Sequence, residues 1–144
     1  MSVTDRRPPF RFAVRTRVGF DETDAQGIVY YGRYMPYFDR ARVEYLRHLG
    51  LIRAGSSGAE FVMRAQHGEY HAPARFDDEL EVFVRVRRLG RTSVTWEFEA
   101  FNASSDERLA TSTQTAVYVA ARRPVRVDDA LRDAVLAFDS AVES

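Results

Sequence analysis

The longest run of helical spacing in this chain, residues 33–49, is set among segments that alternate like β-strands, and that contrast restricts the fold more than any other feature. Tyr34, Phe38, Ala41, Tyr45 and Leu49 form one apolar stripe, widened by Met35 and Leu46, while Arg33, Arg40, Glu44 and Arg47 share the opposite face. Pro36 lacks the N–H that a helix interior needs. The helix is therefore expected to begin near Tyr31–Arg33, with Pro36 in its first turn and Gly50 as its C-terminal cap. Ahead of it, Phe12, Val14, Thr16, Val18 and Phe20 alternate with Arg11, Arg15 and Arg17 as in a half-buried strand. Behind it, R-A-G-S-S-G at 53–58 reads as a flexible connection, and four strands follow at about 60–71, 79–89, 92–102 and 107–120. L-G-R-T-S at 89–93 and N-A-S-S-D at 102–106 read as hairpin turns, and residues 128–138 as a short C-terminal helix with an acidic first turn. Hairpin-linked strands pair antiparallel, and such a sheet needs one apolar cover for its buried face. The expected class is α+β: a five-stranded antiparallel sheet covered by one long helix, in a single domain spanning residues 11–144. Residues 1–10, with Pro8 and Pro9, read as a flexible N-terminal tail.

Composition narrows the chemistry. Twenty-one basic residues balance 21 acidic ones, so bulk nucleic-acid binding has no electrostatic footprint. Every basic residue is arginine, which excludes Schiff-base chemistry through lysine. The absence of cysteine removes a thiol nucleophile, a thiolate zinc site and a disulfide framework, and it fits a reducing compartment. The first ten residues carry no apolar signal segment, and no run approaches the roughly 18 apolar residues of a membrane span. A cytoplasmic protein without a membrane partner is expected.

Residues 20–31, F-D-E-T-D-A-Q-G-I-V-Y-Y, set Asp24 a short distance before the helix start. A helix N-terminus presents backbone N–H donors without intrahelical partners and favours a nearby ionised carboxylate. A carboxylate that attacks, or that activates water, beside donors that hold an oxyanion has the two parts needed to cleave an acyl bond. The plainer alternative is that Asp24 is a turn or capping residue. Asp21 and Glu22 read as solvated loop charges, and Thr23 as either an orienting partner for Asp24 or a turn residue.

The strand–helix–four-strand order, T-D-A-Q-G-I-V-Y-Y at 23–31 and P-A-R-F-D-D at 73–78 together resemble the hotdog-fold acyl-CoA thioesterases. The nearest branch is that of 4-hydroxybenzoyl-CoA thioesterase and the YbgC-type enzymes, and the resemblance covers roughly residues 11–135, with L-G-R-T-S in support. It implies a sheet wrapped around the helix, subunits joined sheet edge to sheet edge as a homodimer or homotetramer, and active sites at the subunit interface. It implies hydrolysis of an acyl-CoA to free acid and coenzyme A with no metal or organic cofactor. By position, Asp24 matches the catalytic carboxylate, Gly27 the turn glycine, and Tyr31 the residue whose backbone N–H polarises the thioester carbonyl. Tyr31 stands where YbgC-type enzymes usually have histidine, and Phe20 where they have tyrosine; tyrosine at 31 resembles the hydroxybenzoyl branch. Release of acyl chains from a carrier protein and non-catalytic acyl-CoA binding are the alternatives on the same fold.

Other residues are weighed on chemistry. Arg87, Arg88, Arg91, Arg122 and Arg123 fall at strand ends, where guanidinium forks suit the 3′-phosphate and pyrophosphate of coenzyme A. Arg91 and Arg123 lead, with Arg88 and Arg122 beside them, because basic residues near those two positions bind the nucleotide end in the enzymes this chain resembles. His67, Glu69 and His71 alternate on one strand and so share a face that could meet a zinc ion, but such trios recur by chance in strands. No metal site is expected, and His71 is read as lining a substrate pocket. His48 near the helix end reads as structural, and Asp39 and Arg42, three apart, as an ion pair. Ser56, Ser57 and Ser93 lie in no G-x-S-x-G elbow, so a serine triad has no support.

Overall fold

A computed structural model describes residues 2–52, 61–139 and 141–144; the connection at 53–58, with Ser56 and Ser57, lies outside the described residues. The helical stretch forms α1 (Tyr34–His48), entered through a 3-10 turn at Tyr31–Arg33. Pro36 takes the third helical position, inside the first turn that tolerates it. At the far end Gly50 adopts φ +77°, its N–H donates to the Arg47 carbonyl at 3.0 Å, and the Leu51 N–H donates to the Leu46 carbonyl at 2.9 Å. This double closure requires a left-handed residue, which is why the helix stops at a glycine.

The antiparallel strands among the described residues are β1 (Ser2–Arg7), β2 (Phe10–Arg17), β3 (Phe61–Tyr70), β4 (Glu79–Leu89), β5 (Ser93–Asn102), β6 (Arg108–Ala120) and the short β7 (Arg123–Pro124). The sheet order is β1-β2-β4-β5-β6-β3, with β7 paired to β6. The sheet is thus larger than the expected five strands. Residues read as a flexible tail form β1 on the edge of β2. Its stability comes from arginine stems covering the sheet face that α1 leaves open. Arg7 lies 3.6 Å over the Phe101 ring and donates to Asp106, while Arg6 pairs with the buried Glu81 beside Phe10 and Phe83. Charged residues serve there as an apolar cover, so no alternation of hydrophobics announces the strand.

On the other face, Val94, Trp96, Phe98 and Ala100 of β5 are buried while the residues between them are half-exposed. α1 lies across that face. Phe38 meets Phe98 at 5.1 Å, and Tyr45 meets Trp96 edge-on at 5.2 Å and Phe12 at 6.0 Å. Arg42 is the polar exception, only 4% exposed: its guanidinium lies near the Trp96 and Phe98 rings and donates to Asp39 at 2.8 Å and to the buried Gln114 side chain. The expected Asp39–Arg42 pair is formed. Through Gln114 it also ties helix to sheet. His48 packs between Phe12 and Phe138, at 5.2 and 5.4 Å. Asp128 caps α2 (Asp129–Phe138), which buries Leu131 and Val135. No helix among the described residues is long and apolar enough to cross a membrane.

Just past α2, the buried Asp139 accepts hydrogen bonds from the Tyr45 hydroxyl at 2.5 Å and the Val86 N–H at 3.0 Å, while its Oδ1 has no partner among the described residues. Burial pushes this carboxyl above its ordinary range, against the opposing pull of those two hydrogen bonds and of Arg85 and Arg11. A folded-state value above the unfolded one means the group's stabilisation is complete at low pH and is lost as pH rises through the folded value. Asp139→Asn removes the charge and keeps an acceptor oxygen. Its stability relative to wild type is expected to climb as pH rises above the ordinary aspartate value of 3.8, read from urea midpoints across a pH series. A difference that stays constant with pH would discount the buried charge.

Candidate active site

After β2 the chain makes a 3-10 turn at Phe20–Glu22 and then a tight turn built by Asp24 itself. The Asp24 N–H donates to the Ile28 carbonyl at 2.9 Å, and the Gly27 N–H donates to the Asp24 carbonyl at 2.9 Å. The Asp24 Oδ1 accepts from the Gln26 N–H at 2.8 Å and, more weakly, from the Ile28 N–H at 3.4 Å. This is the turn-forming role that aspartate plays in loops, and it also holds the carboxylate in one orientation with Oδ2 outside those bonds. Gly27 sits at φ +76°, in the left-handed region where a side chain is strained. The segment 73–78 meets this turn: the Val29 N–H donates to the Ala74 carbonyl at 2.8 Å and the Phe76 N–H to the Gly27 carbonyl at 3.3 Å. The two motifs that carried the resemblance are thus hydrogen-bonded to each other.

The helix start lies next along the chain. The Arg33 N–H donates to the Tyr30 carbonyl at 3.0 Å, and the N–H groups of Tyr31 and Gly32 precede it, where a helix leaves its first donors without intrahelical partners. A cleft of about 300 Å³ opens here, lined among others by Ile28, Val29, Tyr31, Tyr34, Tyr70 and His71. Tyr34 is buried, and that burial, then Tyr70, push its phenol up to about 12, so it is neutral at physiological pH. Tyr31 is 72% exposed with its ring 6.0 Å from that of Tyr70. Asp24 is exposed and hydrogen-bonded to Ile28, which lines the cleft. Further along α1 a second hollow of about 370 Å³, mostly apolar, runs past Met35, Arg42, Val43, Leu46, Phe61 and Met63.

The expected site residues separate into two groups. Tyr31 and His71 line the cleft, and Asp24 and Gly27 lie in the adjoining turn that leads into it at Ile28. Thr23 lies in the same loop, but its hydroxyl donates to the Phe20 carbonyl at 2.8 Å, which is a turn role and not the support of Asp24. Glu22 corrects the reading of solvated loop charge: it is half-buried and accepts from the Tyr37 hydroxyl at 2.8 Å, a contact between residues 15 apart that no local pattern reveals. Arg91, Arg122 and Arg123 lie at the other end of the sheet. The Arg91 carbonyl accepts from Val127, and the Thr92 carbonyl accepts from Tyr118, at the end where β6 turns into β7. Arg88 is at the same end of β4, beside Glu143. β4 runs 11 residues from the cleft end to that end, a distance of roughly 30 Å. His67 and Glu69 pair with each other at 3.0 Å, and among the described residues no three His, Cys, Asp or Glu side chains are grouped as metal ligands.

A family model described as the thioesterase superfamily matches residues 26–108. The YbgC acyl-CoA thioester hydrolase of Escherichia coli O6:H1 is 37% identical over 98 residues, which cover 67% of this chain and 72% of that protein. A crystal structure of a Pseudomonas aeruginosa protein superposes with a TM-score of 0.82 at 28% identity, covering 95% of this chain and 97% of that one. A thioesterase from Thermus thermophilus, solved with coenzyme A and zinc, superposes with a TM-score of 0.80 at 27% identity, covering 92% and 97%.

An alanine at position 27 would meet nothing within 4 Å, so Gly27→Ala isolates the backbone strain of the turn. It is expected to destabilise the protein by about 1–2 kcal/mol, measured by urea denaturation. A neutral substitution would mean the turn relaxes out of its left-handed geometry.

Proposed function

This chain belongs to the thioesterase superfamily, and from that premise we propose that it hydrolyses acyl-CoA thioesters with the Asp24 carboxylate and the helix-start N–H groups. The observation that carries the reading is that Ile28, hydrogen-bonded to Asp24, and Tyr31 at the helix start line one cleft. The thioester carbonyl oxygen accepts from the Tyr31 N–H, which withdraws electrons from the carbonyl carbon. Asp24 Oδ2 attacks that carbon, or takes a proton from a water that does. In the first route the carbon–sulfur bond breaks, coenzyme A leaves as thiolate with the electron pair, and water then opens the mixed anhydride to free acid and restored carboxylate. The steps use water and protein groups alone. The apolar hollow along α1 offers room for the acyl chain.

The nucleotide end of coenzyme A requires a second copy of the chain. Within one chain the length of β4, roughly 30 Å, lies between the Asp24 end of the sheet and the end that bears Arg91 and Arg123. What supports a two-chain site is β3, a ten-residue edge strand whose residues are all at least partly exposed. Antiparallel pairing of two β3 strands about a twofold axis sets the Tyr70 end of one beside the Phe61 end of the other. Because Phe61 pairs with Tyr118, that arrangement carries the partner's Arg91 and the partner's Arg123 towards this chain's cleft.

Asp24→Asn is expected to reduce thiol release from a panel of short, medium, long and aromatic acyl-CoAs by at least about a thousandfold, with a nearly unchanged melting temperature. Retained turnover would remove Asp24 from the chemistry. The two-chain site has its own test. Co-refolding Asp24→Asn with an Arg91→Ala/Arg123→Ala chain gives mixed dimers with one intact site, so about a quarter of wild-type activity should return at low substrate. No recovery in dimers shown to be mixed would confine the site to one chain.

A further inference from the structure

Glu22 stands two residues before Asp24, and its Oε1 accepts two hydrogen bonds, from the Gly19 N–H at 2.7 Å and from the Tyr37 hydroxyl at 2.8 Å. Tyr37 is 1% exposed, in the early part of α1, and its ring meets Tyr34 edge-on at 5.8 Å. Tyr34 in turn lines the cleft. Burial, then the Glu22 carboxylate, push the Tyr37 phenol well above its ordinary range, so Tyr37 remains the donor. The Gly19 end is equally confined, since a Cβ there would meet Asp21 Oδ1 at 2.8 Å and Glu22 Oε1 at 3.4 Å.

We propose that Glu22 is a positioning residue of the hydrolytic site: through Tyr37 it braces the Asp24 loop against the helix whose first N–H groups hold the oxyanion. The inference rests on the reading of Asp24 and Tyr31 given above. The other ties of the Asp24 turn, from Val29 to Ala74 and from Phe76 to Gly27, run to the 73–78 segment and reach α1 only indirectly, through the hydrogen bond between Ala74 and Tyr34. The remaining tie from the helix start, Arg33 Nη2 to the Asp21 carbonyl, is exposed and long at 3.4 Å. Glu22 therefore supplies the short, half-buried link that joins the Asp24 loop directly to a side chain of α1. A carboxylate suits the task because charge-assisted hydrogen bonds are shorter and stronger than neutral ones. An ångström of drift between nucleophile and oxyanion donors is enough to lower a rate about a hundredfold.

The test measures kcat, KM and melting temperature for Glu22→Ala, Glu22→Gln, Tyr37→Phe and the Glu22→Ala/Tyr37→Phe double variant, with Asp24→Asn in parallel. Glu22→Ala and Tyr37→Phe are expected to lower kcat about ten- to a hundredfold with KM within about twofold. The double variant should be no worse than Glu22→Ala, because Glu22→Ala already removes the bond that Tyr37→Phe breaks. Glu22→Gln retains the acceptor oxygen and should recover most of the loss. Folded Glu22→Ala and Tyr37→Phe enzymes with wild-type kcat overturn the brace, and if Asp24→Asn is then inactive the Asp24 reading stands without it. An active Asp24→Asn overturns both. Losses that merely follow melting temperature, with Glu22→Gln no better than Glu22→Ala, make Glu22 a structural staple and also overturn the proposal. Should Glu22→Ala fail to fold, Tyr37→Phe decides the matter, since it deletes a single oxygen.

Discussion

The edge-on contact of Tyr45 with Trp96 and the approach of Phe38 to Phe98 set the height and roll of α1 above the sheet. Each buried aromatic contributes about 1.5–3 kcal/mol by area, and each well-placed ring pair about 0.5–1.5 more. A single hydrogen bond contributes about 1 kcal/mol net. The rings therefore decide where the helix lies, and the polar link from Arg42 to Gln114 refines a position already chosen. Everything proposed at Tyr31 depends on this, because backbone N–H groups can only be aimed by aiming the helix that bears them.

With the helix held, the proposed site needs a loop of modest length to carry a carboxylate towards its first turn. The loop is held by main-chain hydrogen bonds between Val29 and Ala74 and between Phe76 and Gly27, with Asp24 closing its own turn through Oδ1. The two readings of Asp24, turn-former and proposed catalyst, are compatible in this geometry. One oxygen builds the turn and the other is left for chemistry. Gly27 is the residue that permits it, because the turn passes through the left-handed region at that point.

The sheet imposes a second constraint. A strand of 11 residues separates the cleft from the arginine-bearing turns by more than the reach of any side chain. A single copy therefore carries one half of the proposed substrate site at each end. The exposed edge at β3 is the surface through which two copies would join these halves, and it is an edge that a lone chain would leave open to unspecific pairing.

Local periodicity announced the elements themselves. The α1 stripe, the alternation of β4 and β5, the hairpin turns near residues 90 and 104, the closing Gly50 and the Asp24–Gly27 turn each depend on neighbours a few positions away, so the order of residues states them directly. β1 escaped because arginine stems, not alternating hydrophobics, cover Phe83 and Phe101. The Glu22–Tyr37 bond, the buried Arg42, the Thr23 hydroxyl turned to Phe20, the open edge at β3 and the separation of Asp24 from Arg91 and Arg123 were likewise invisible in the string of residues. Most of these depend on which distant segments the packed rings bring together. That is a property of the folded chain as a whole, because contacts between residues far apart in sequence depend on how helix and sheet pack together.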